Sequence, residues 1–312
     1  MGARLSTTSE GLWLTAALAG VSRLPAVLRV RPVGDVEQML AGHPGLAVLE
    51  DAGVCRGGTL DPDVAEWIST LGRPDVEVAL DVSRPNGQAD RLAGPPPLFE
   101  APSDPLEAAE ALRVWRANGP ARRAAAVCRR DGSWVAAARV WQVGDEPLDE
   151  IVVSPLGRAA IGAVINDLIG PGQPADFDGI NIETAVLNPI LSDWQARPGM
   201  DLVTELVDVG LTLPQARIVA AAGDATATRA SLTAIEYSVE GPHFAPHGIS
   251  VIDTLSGRVL VSPVAGPDQR PWTTIFPGTG HRIATAVTEL LESLPCGRGW
   301  TTHTRIRPFD TR

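Results

Sequence analysis

The side chains that could do chemistry are few and far apart. Lysine is absent, which removes any Schiff-base, nucleophilic or phosphate-loop lysine. The three cysteines, Cys55, Cys128 and Cys296, are odd in number, scattered and never in a C-x-x-C pair. Neither a disulfide framework nor a cysteine-rich zinc site is expected, and the pattern suits a reducing cytosol. His243 and His247 stand four apart, a spacing at which one helix face could chelate a metal. They lie in Gly241-Pro242-His243-Phe244-Ala245-Pro246-His247-Gly248, however, whose prolines and glycines predict a turn. Asp145, Glu146, Asp149 and Glu150 lack the Asp-x-Asp-x-Asp-Gly order of a calcium loop and read as a solvated acidic loop. Pro277-Gly278-Thr279-Gly280 lacks the third glycine of a dinucleotide fingerprint, and no H-E-x-x-H or G-x-S-x-G occurs. The residues therefore predict no catalytic, cofactor or metal site, and favour a binding protein over an enzyme.

Composition narrows the classes further. In 312 residues, 44% are apolar and 20% charged, which excludes a disordered chain and a coiled-coil rod. A net charge of −11 argues against phosphate-backbone binding, so no nucleic-acid partner is expected. No apolar run reaches the length of a membrane span, and no membrane insertion is expected. Arg4, the apolar stretch Leu12 to Leu18 and Ala17-Leu18-Ala19 imitate a secretion signal. Glu10 interrupts the pattern, so the segment reads as a first amphipathic helix of the folded protein.

The elements that would position a site are better marked. Asp61-Pro62 opens a helix as cap and first residue, Val64, Trp67, Ile68 and Leu71 repeat at helical spacing, and Gly72 closes it. Alternating Val76, Val78, Leu80 and Val82 predict a strand. Residues 84–120 are rich in proline and glycine and read as a long surface excursion, with a short helix from Asp104-Pro105 to about Arg116. Ala124–Cys128 and Trp134–Val140 flank Asp131-Gly132, a hairpin signal. Ile151–Val153 predicts a short strand and Gly157–Ile169 a helix. Residues 180–223 read as helical. Strands return at Leu232–Val239, Ile249–Asp253, Arg258–Ser262 and Thr273–Phe276, before a helix over Gly280–Leu294.

The order of strands, glycine turn and helix repeats: Ala163-Val164-Ile165-Asn166-Asp167-Leu168 corresponds to Ala286-Val287-Thr288-Glu289-Leu290-Leu291. This predicts an α+β fold, one domain over 1–312 built from related halves of about 1–175 and 176–312.

An ordered set of segments resembles the EspG family, cytosolic chaperones of mycobacterial ESX (type VII) secretion. It comprises Gly11-Leu12-Trp13-Leu14, Leu24-Pro25-Ala26-Val27-Leu28-Arg29-Val30-Arg31-Pro32, Asp61-Pro62-Asp63-Val64-Ala65-Glu66-Trp67 and Leu71-Gly72-Arg73-Pro74-Asp75. Gly257-Arg258-Val259, Trp272-Thr273-Thr274, Pro277-Gly278-Thr279 and Leu294-Pro295 complete it. The resemblance implies two quasi-symmetric halves with antiparallel sheet flanked by helical bundles. It implies a cytoplasmic chaperone with no cofactor, which binds the PPE tip of a PE–PPE heterodimer, keeps it soluble and directs it to its ESX system. A weak homodimer is compatible with it. By position it points to the strand residues Thr233, Ile235 and Tyr237 and to the helical residues Val203, Val207 and Gln215 as partner contacts. Leu98 and Phe99, apolar residues in the proline-rich excursion, are further candidates. A hydrolase-like enzyme and a self-associating scaffold are the alternatives.

Overall fold

The computed structural model describes residues 4–30, 43–83, 104, 107, 122–142, 148–197, 199–224, 227–266 and 268–305. The excursion 84–120 lies outside them except for Asp104 and Glu107. With it go Leu98, Phe99 and the helix expected from 104 to 116; Asp145 and Glu146 of the acidic loop also fall outside.

The chain runs β1 (Leu5–Thr7), α1 (Ser9–Leu18), a 3-10 turn (Ala26–Leu28), α2 (Gly45–Asp51), β2 (Cys55–Arg56), β3 (Thr59–Leu60) and α3 (Pro62–Gly72). Then come β4 (Val76–Ser83), β5 (Arg122–Arg130), β6 (Ser133–Gln142), β7 (Leu148–Gly157) and α4 (Ile161–Ile169). The second series is β8 (Ile180–Glu183), α5 (Thr184–Ala196), α6 (Leu202–Asp208), α7 (Leu213–Gly223), β9 (Thr228–Ser238) and β10 (Gly241–Phe244). It ends with β11 (Ile249–Thr254), β12 (Gly257–Ala265), β13 (Pro271–Pro277), α8 (Gly280–Glu292) and a 3-10 turn (Gly297–Thr301).

Eleven strands form one antiparallel sheet in the order β1-β7-β6-β5-β4-β9-β11-β12-β13-β8, with β10 on β9. The order reads alike from either end: each half contributes an edge strand, three helices, four main sheet strands and a final helix. The fold is α+β, with two quasi-symmetric halves meeting at the β4–β9 seam.

Strand alternation divides the sheet into two faces. On one, Val76, Val78, Leu80 and Val82 of β4 join Ala230, Leu232 and Ala234 of β9 under α4 and α8. These two helices cross closely: a Cβ on Gly162 would lie 2.5 Å from that of Ala284. On the other face α1, α2 and α3 cover β5, β6 and β7 around Leu12, Leu14, Ile68 and Ile151, while α5, α6 and α7 cover β11, β12 and β13 around Leu206, Val219 and Ile252.

Local signals explain many elements. Asp61 caps α3 by accepting from the Asp63 and Val64 amides, with Pro62 in the first turn. Asp131 and Gly132 both have positive φ, as the hairpin turn requires. Gly72, however, is not a left-handed terminator: its missing side chain leaves room for Val21, which a Cβ would approach to 2.1 Å.

Several expectations need correction. Helix α1 is not amphipathic, because Leu12, Trp13, Leu14, Thr15 and Ala16 are consecutively buried between β7, α2 and α3. β7 extends through Pro155 to Gly157, and α4 starts only at Ile161. A register shift at Trp134/Val135 on the neighbouring strand accommodates the proline. The region 180–223 opens with edge strand β8 rather than helix. His243 lies on β10, which pairs back on β9, and not in an open turn.

Candidate functional site

The two helical groups cover the flanks of their face and leave its centre open. Register assigns Glu77, Ala79, Asp81 and Ser83 of β4 to that face, opposite Ile235, Thr233, Ser231 and Arg229 of β9. None of these belongs to any apolar core cluster. Ser231 is exposed, and Asp81, Ser83, Arg229, Thr233 and Ser250 of β11 are half-exposed, so water or a partner reaches this end of the strip, whereas Glu77, Ala79 and Ile235 are buried. Arg229 borders it on one side, donating to the Ala222 carbonyl of α7 at 2.8 Å. The 3-10 turn Ala26–Leu28 packs against β4 and β5 on the other. At one end Phe244 of β10, 62% exposed, sits opposite Ile235 on the same face.

The candidate contacts among the described residues fall into two groups, one on β9 and one on the C-terminal helices. Thr233 is half-exposed on the strip itself. Ile235 shares the face but is 7% exposed, so it supports the strip from beneath rather than offering surface. Tyr237 is half-buried, and its hydroxyl donates to Glu77 Oε2 at 2.7 Å. Burial first, and then Glu77, raises the phenol pKa, so Tyr237 stays neutral. Glu77 is itself pushed up by burial, with the Tyr237 hydrogen bond and Arg23 opposing.

The helical candidates lie in the C-terminal group. Val207 is 39% exposed, and Val209 and Leu213 beside it on the α6–α7 connection are also exposed. Val203 is half-buried against the local core. Gln215 is committed to the capping box of α7: Thr212 Oγ1 accepts from its backbone amide, and its side-chain carbonyl accepts from the Thr212 amide at 3.0 Å.

Residue reading missed Ser231, Asp81, Ser250 and Phe244. The alternation of β4 was legible, but which strand would lie beside it, and in which register, was not. Of the exposed helical valines, only Val207 is singled out, through the family resemblance rather than its spacing.

Two other places hold concentrated polar groups. A shallow cleft of about 650 Å³ runs between α4 and α8, over Asn166, Arg258 and Gly278. Arg258 is fully engaged there: it binds Asp253 through Nε at 2.6 Å and Nη2 at 2.9 Å, and donates Nη1 to Gly170 O at 2.8 Å. It clamps the turn before β8 instead of presenting a free cation. The second place is Glu236, Cys296 and His303, on the covered face at the foot of β9. Burial, then the hydrogen bond to Glu236 and its charge, push the Cys296 thiol up to about 12. That is opposite to the activation a thiol nucleophile needs.

The sequence model of the EspG family matches residues 8–94 and 107–289, breaking only inside the proline-rich excursion. This chain belongs to the EspG family. It is 27% identical to the ESX-5 secretion-associated protein EspG5 of Mycobacterium marinum, across 97% of each chain. It is 26% identical to the ESX-2 secretion-associated protein EspG2 of Mycobacterium tuberculosis, across 97% of this chain and 99% of the relative. Against the ESX-3 secretion-associated protein EspG3 of Mycolicibacterium smegmatis the identity is 28%, across 97% and 91%. Its fold matches the type VII secretion system chaperone EspG5 of M. tuberculosis, solved in complex with the PE25–PPE41 dimer. The TM-score is 0.73 at 21% identity, covering 97% of this chain and all of that one. No helix among the described residues of this EspG-family chain is long and apolar enough to cross a membrane.

Proposed function

We propose that this chain is a cytoplasmic, non-catalytic type VII secretion chaperone. It binds the PPE subunit of a PE–PPE heterodimer on the open strip of β4 and β9 and on the exposed α6–α7 connection. The observation that carries this reading is the uncovered seam of the sheet, in a chain whose fold matches EspG5 captured with a PE–PPE dimer. Thr233 contacts the client directly, Val207 supplies apolar area, and Ile235, Tyr237, Val203 and Gln215 hold those surfaces in place. Leu98 and Phe99 extend the contact from the excursion.

An apolar helical tip is an aggregation liability until covered. Stable cover requires burying on the order of 1,000 Å² or more in total. The strip alone is narrow and polar, so both surfaces are needed.

The test is co-expression with PE–PPE pairs from the same genome, followed by affinity capture and size exclusion. A soluble complex with one copy of each chain is expected. Failure with every pair, while this protein stays folded, overturns the reading.

A further inference from the structure

Behind the foot of the sheet, the chain beyond α8 returns as a strap held by buried charges. Arg129, 3% exposed, donates Nη1 to His303 O at 2.6 Å and Nη2 to Thr301 O. Asp75, 1% exposed, accepts the Arg305 amide at 3.0 Å and the Asp131 amide at 3.0 Å. These anchors bring a histidine and a cysteine of the strap to a buried glutamate of β9. Glu236 Oε2 accepts the Cys296 amide at 2.7 Å, while Oε1 lies 3.8 Å from His303 Nε2. One ligand atom from each of Glu236, Cys296 and His303 falls within 4.8 Å of the other two.

We propose that these three residues bind a zinc ion that staples the strap to the central sheet. With zinc–sulfur distances of about 2.3 Å and zinc–nitrogen or –oxygen distances of about 2.0–2.2 Å, tetrahedral ligands stand roughly 3.3–3.6 Å apart. The trio needs to contract by up to about 1.5 Å, a movement that a strap can make and a sheet interior cannot. One thiolate, one imidazole and one carboxylate are the borderline donor set that suits zinc.

Around the trio, Asp75 and Asp131 face the Arg129 guanidinium, and Asp131 also pairs with Arg130 at 3.5 Å. Binding exchanges the His303 Nε2–Tyr237 O hydrogen bond, 3.1 Å, for a coordinate bond. The Cys296 S–H loses its proton to solvent as the zinc–sulfur bond forms, with no change of oxidation state. Cys296 and His303 are half-exposed, so water reaches the fourth position. The site lies on the face opposite the client strip and is independent of that reading.

The test uses the full chain, stripped by chelator dialysis and titrated with Zn²⁺ against a chromophoric chelator. Co²⁺ serves as the spectroscopic probe. One equivalent should bind at about 1 µM or tighter, with a thiolate-to-cobalt charge-transfer band and a zinc-dependent rise in Tm. Cys296→Ser should abolish the band, and Cys296→Ser and His303→Gln should each weaken binding by about 100-fold or more. Both substitutions fall at half-exposed positions, and the metal-free Tm reports whether each variant is folded. Absence of stoichiometric binding, or unchanged affinity in either folded variant, overturns the proposal.

Discussion

Thr233→Arg isolates the open strip from the rest of the fold. Thr233 is half-exposed and its hydroxyl has no hydrogen-bond partner among the described residues, so the substitution should change stability by no more than about 0.5 kcal/mol. In a complex the same arginine is desolvated near the middle of the contact. A charge without a partner there costs about 2–5 kcal/mol, which raises Kd by roughly 30-fold at the low end. Ser231→Arg projects from the same face two residues along, about 7 Å away, but stands directly opposite Asp81 and gains a partner there, so its effect on binding should be smaller. Ile235→Arg is the wrong probe: at 7% exposure it puts a charge inside the protein and destabilises the fold itself. Leu255→Arg is the control, because Leu255 is fully exposed at the β11–β12 turn, away from the strip. The assay pairs a thermal melt of each free variant with calorimetric titration of a purified PE–PPE dimer. If Thr233→Arg and Ser231→Arg both melt like wild type and bind as tightly as Leu255→Arg, the strip is not the docking surface.

Three stability predictions follow from buried polar and packing contacts. Burial opposes ionisation of Asp149, but hydrogen bonds from Ser9 and the Arg139 pair at 2.8 Å outweigh it and hold the carboxyl below its ordinary value. Asp149→Asn should therefore cost about 1–3 kcal/mol at pH 7. A depressed carboxylate stabilises fully above its unfolded pKa of about 3.9 and loses this contribution as pH falls through the folded value, so in denaturant melts the gap between wild type and variant should hold above about pH 3.9 and narrow below it. For Glu77 the sign is reversed: its raised carboxyl makes ionisation costly to the fold as pH rises through about 4.3. Glu77→Gln keeps an acceptor for Tyr237 and should be at least as stable as wild type at pH 7, the gap closing towards pH 4; a marked loss at pH 7 refutes this. Gly162→Ala forces a Cβ to within 2.5 Å of Ala284 and should cost about 1–3 kcal/mol, with Ala284→Gly partly restoring the double variant in a mutant cycle.

Local chemistry made part of this fold readable. Asp61 with Pro62, the Val64–Leu71 stripe and Asp131-Gly132 each fix their own geometry within a few residues, and each formed where its pattern placed it. β8 and β10 were not readable, because Ile180–Glu183 and Gly241–Phe244 become strands only through pairing with β13 and β9. The strip shows the same limit more sharply. Thr233 could be singled out through family position, whereas Ser231, Asp81 and Phe244 acquire a shared face only through register. The zinc trio joins residue 236 to residues 296 and 303, a separation that no spacing rule covers.

The strip follows from the duplicated architecture. Each half places three helices over its own outer strands, α1–α3 over β5–β7 and α5–α7 over β11–β13. Neither group packs over the middle of the seam; α7 reaches only its border, where the Ala222 carbonyl accepts from Arg229 of β9. On the opposite face each half has one helix, and α4 and α8 meet over that seam, pressed together at Gly162 and Ala284. One face of β4 and β9 is therefore sealed by apolar packing, and the other is left accessible along Asp81, Ser83, Ser231 and Thr233. The side chains obey the difference: Val76, Val78, Leu80 and Val82 point to the sealed side, while Asp81, Ser83, Ser231 and Thr233 point to the open one. Alternation of this kind lets a sheet stand in water on one side without becoming an aggregation surface. An added half-sheet cover, or a substitution that buries the seam from within, removes the open face while leaving both cores intact. Loss of client binding in such a variant, with both halves still folded, is the outcome this architecture predicts.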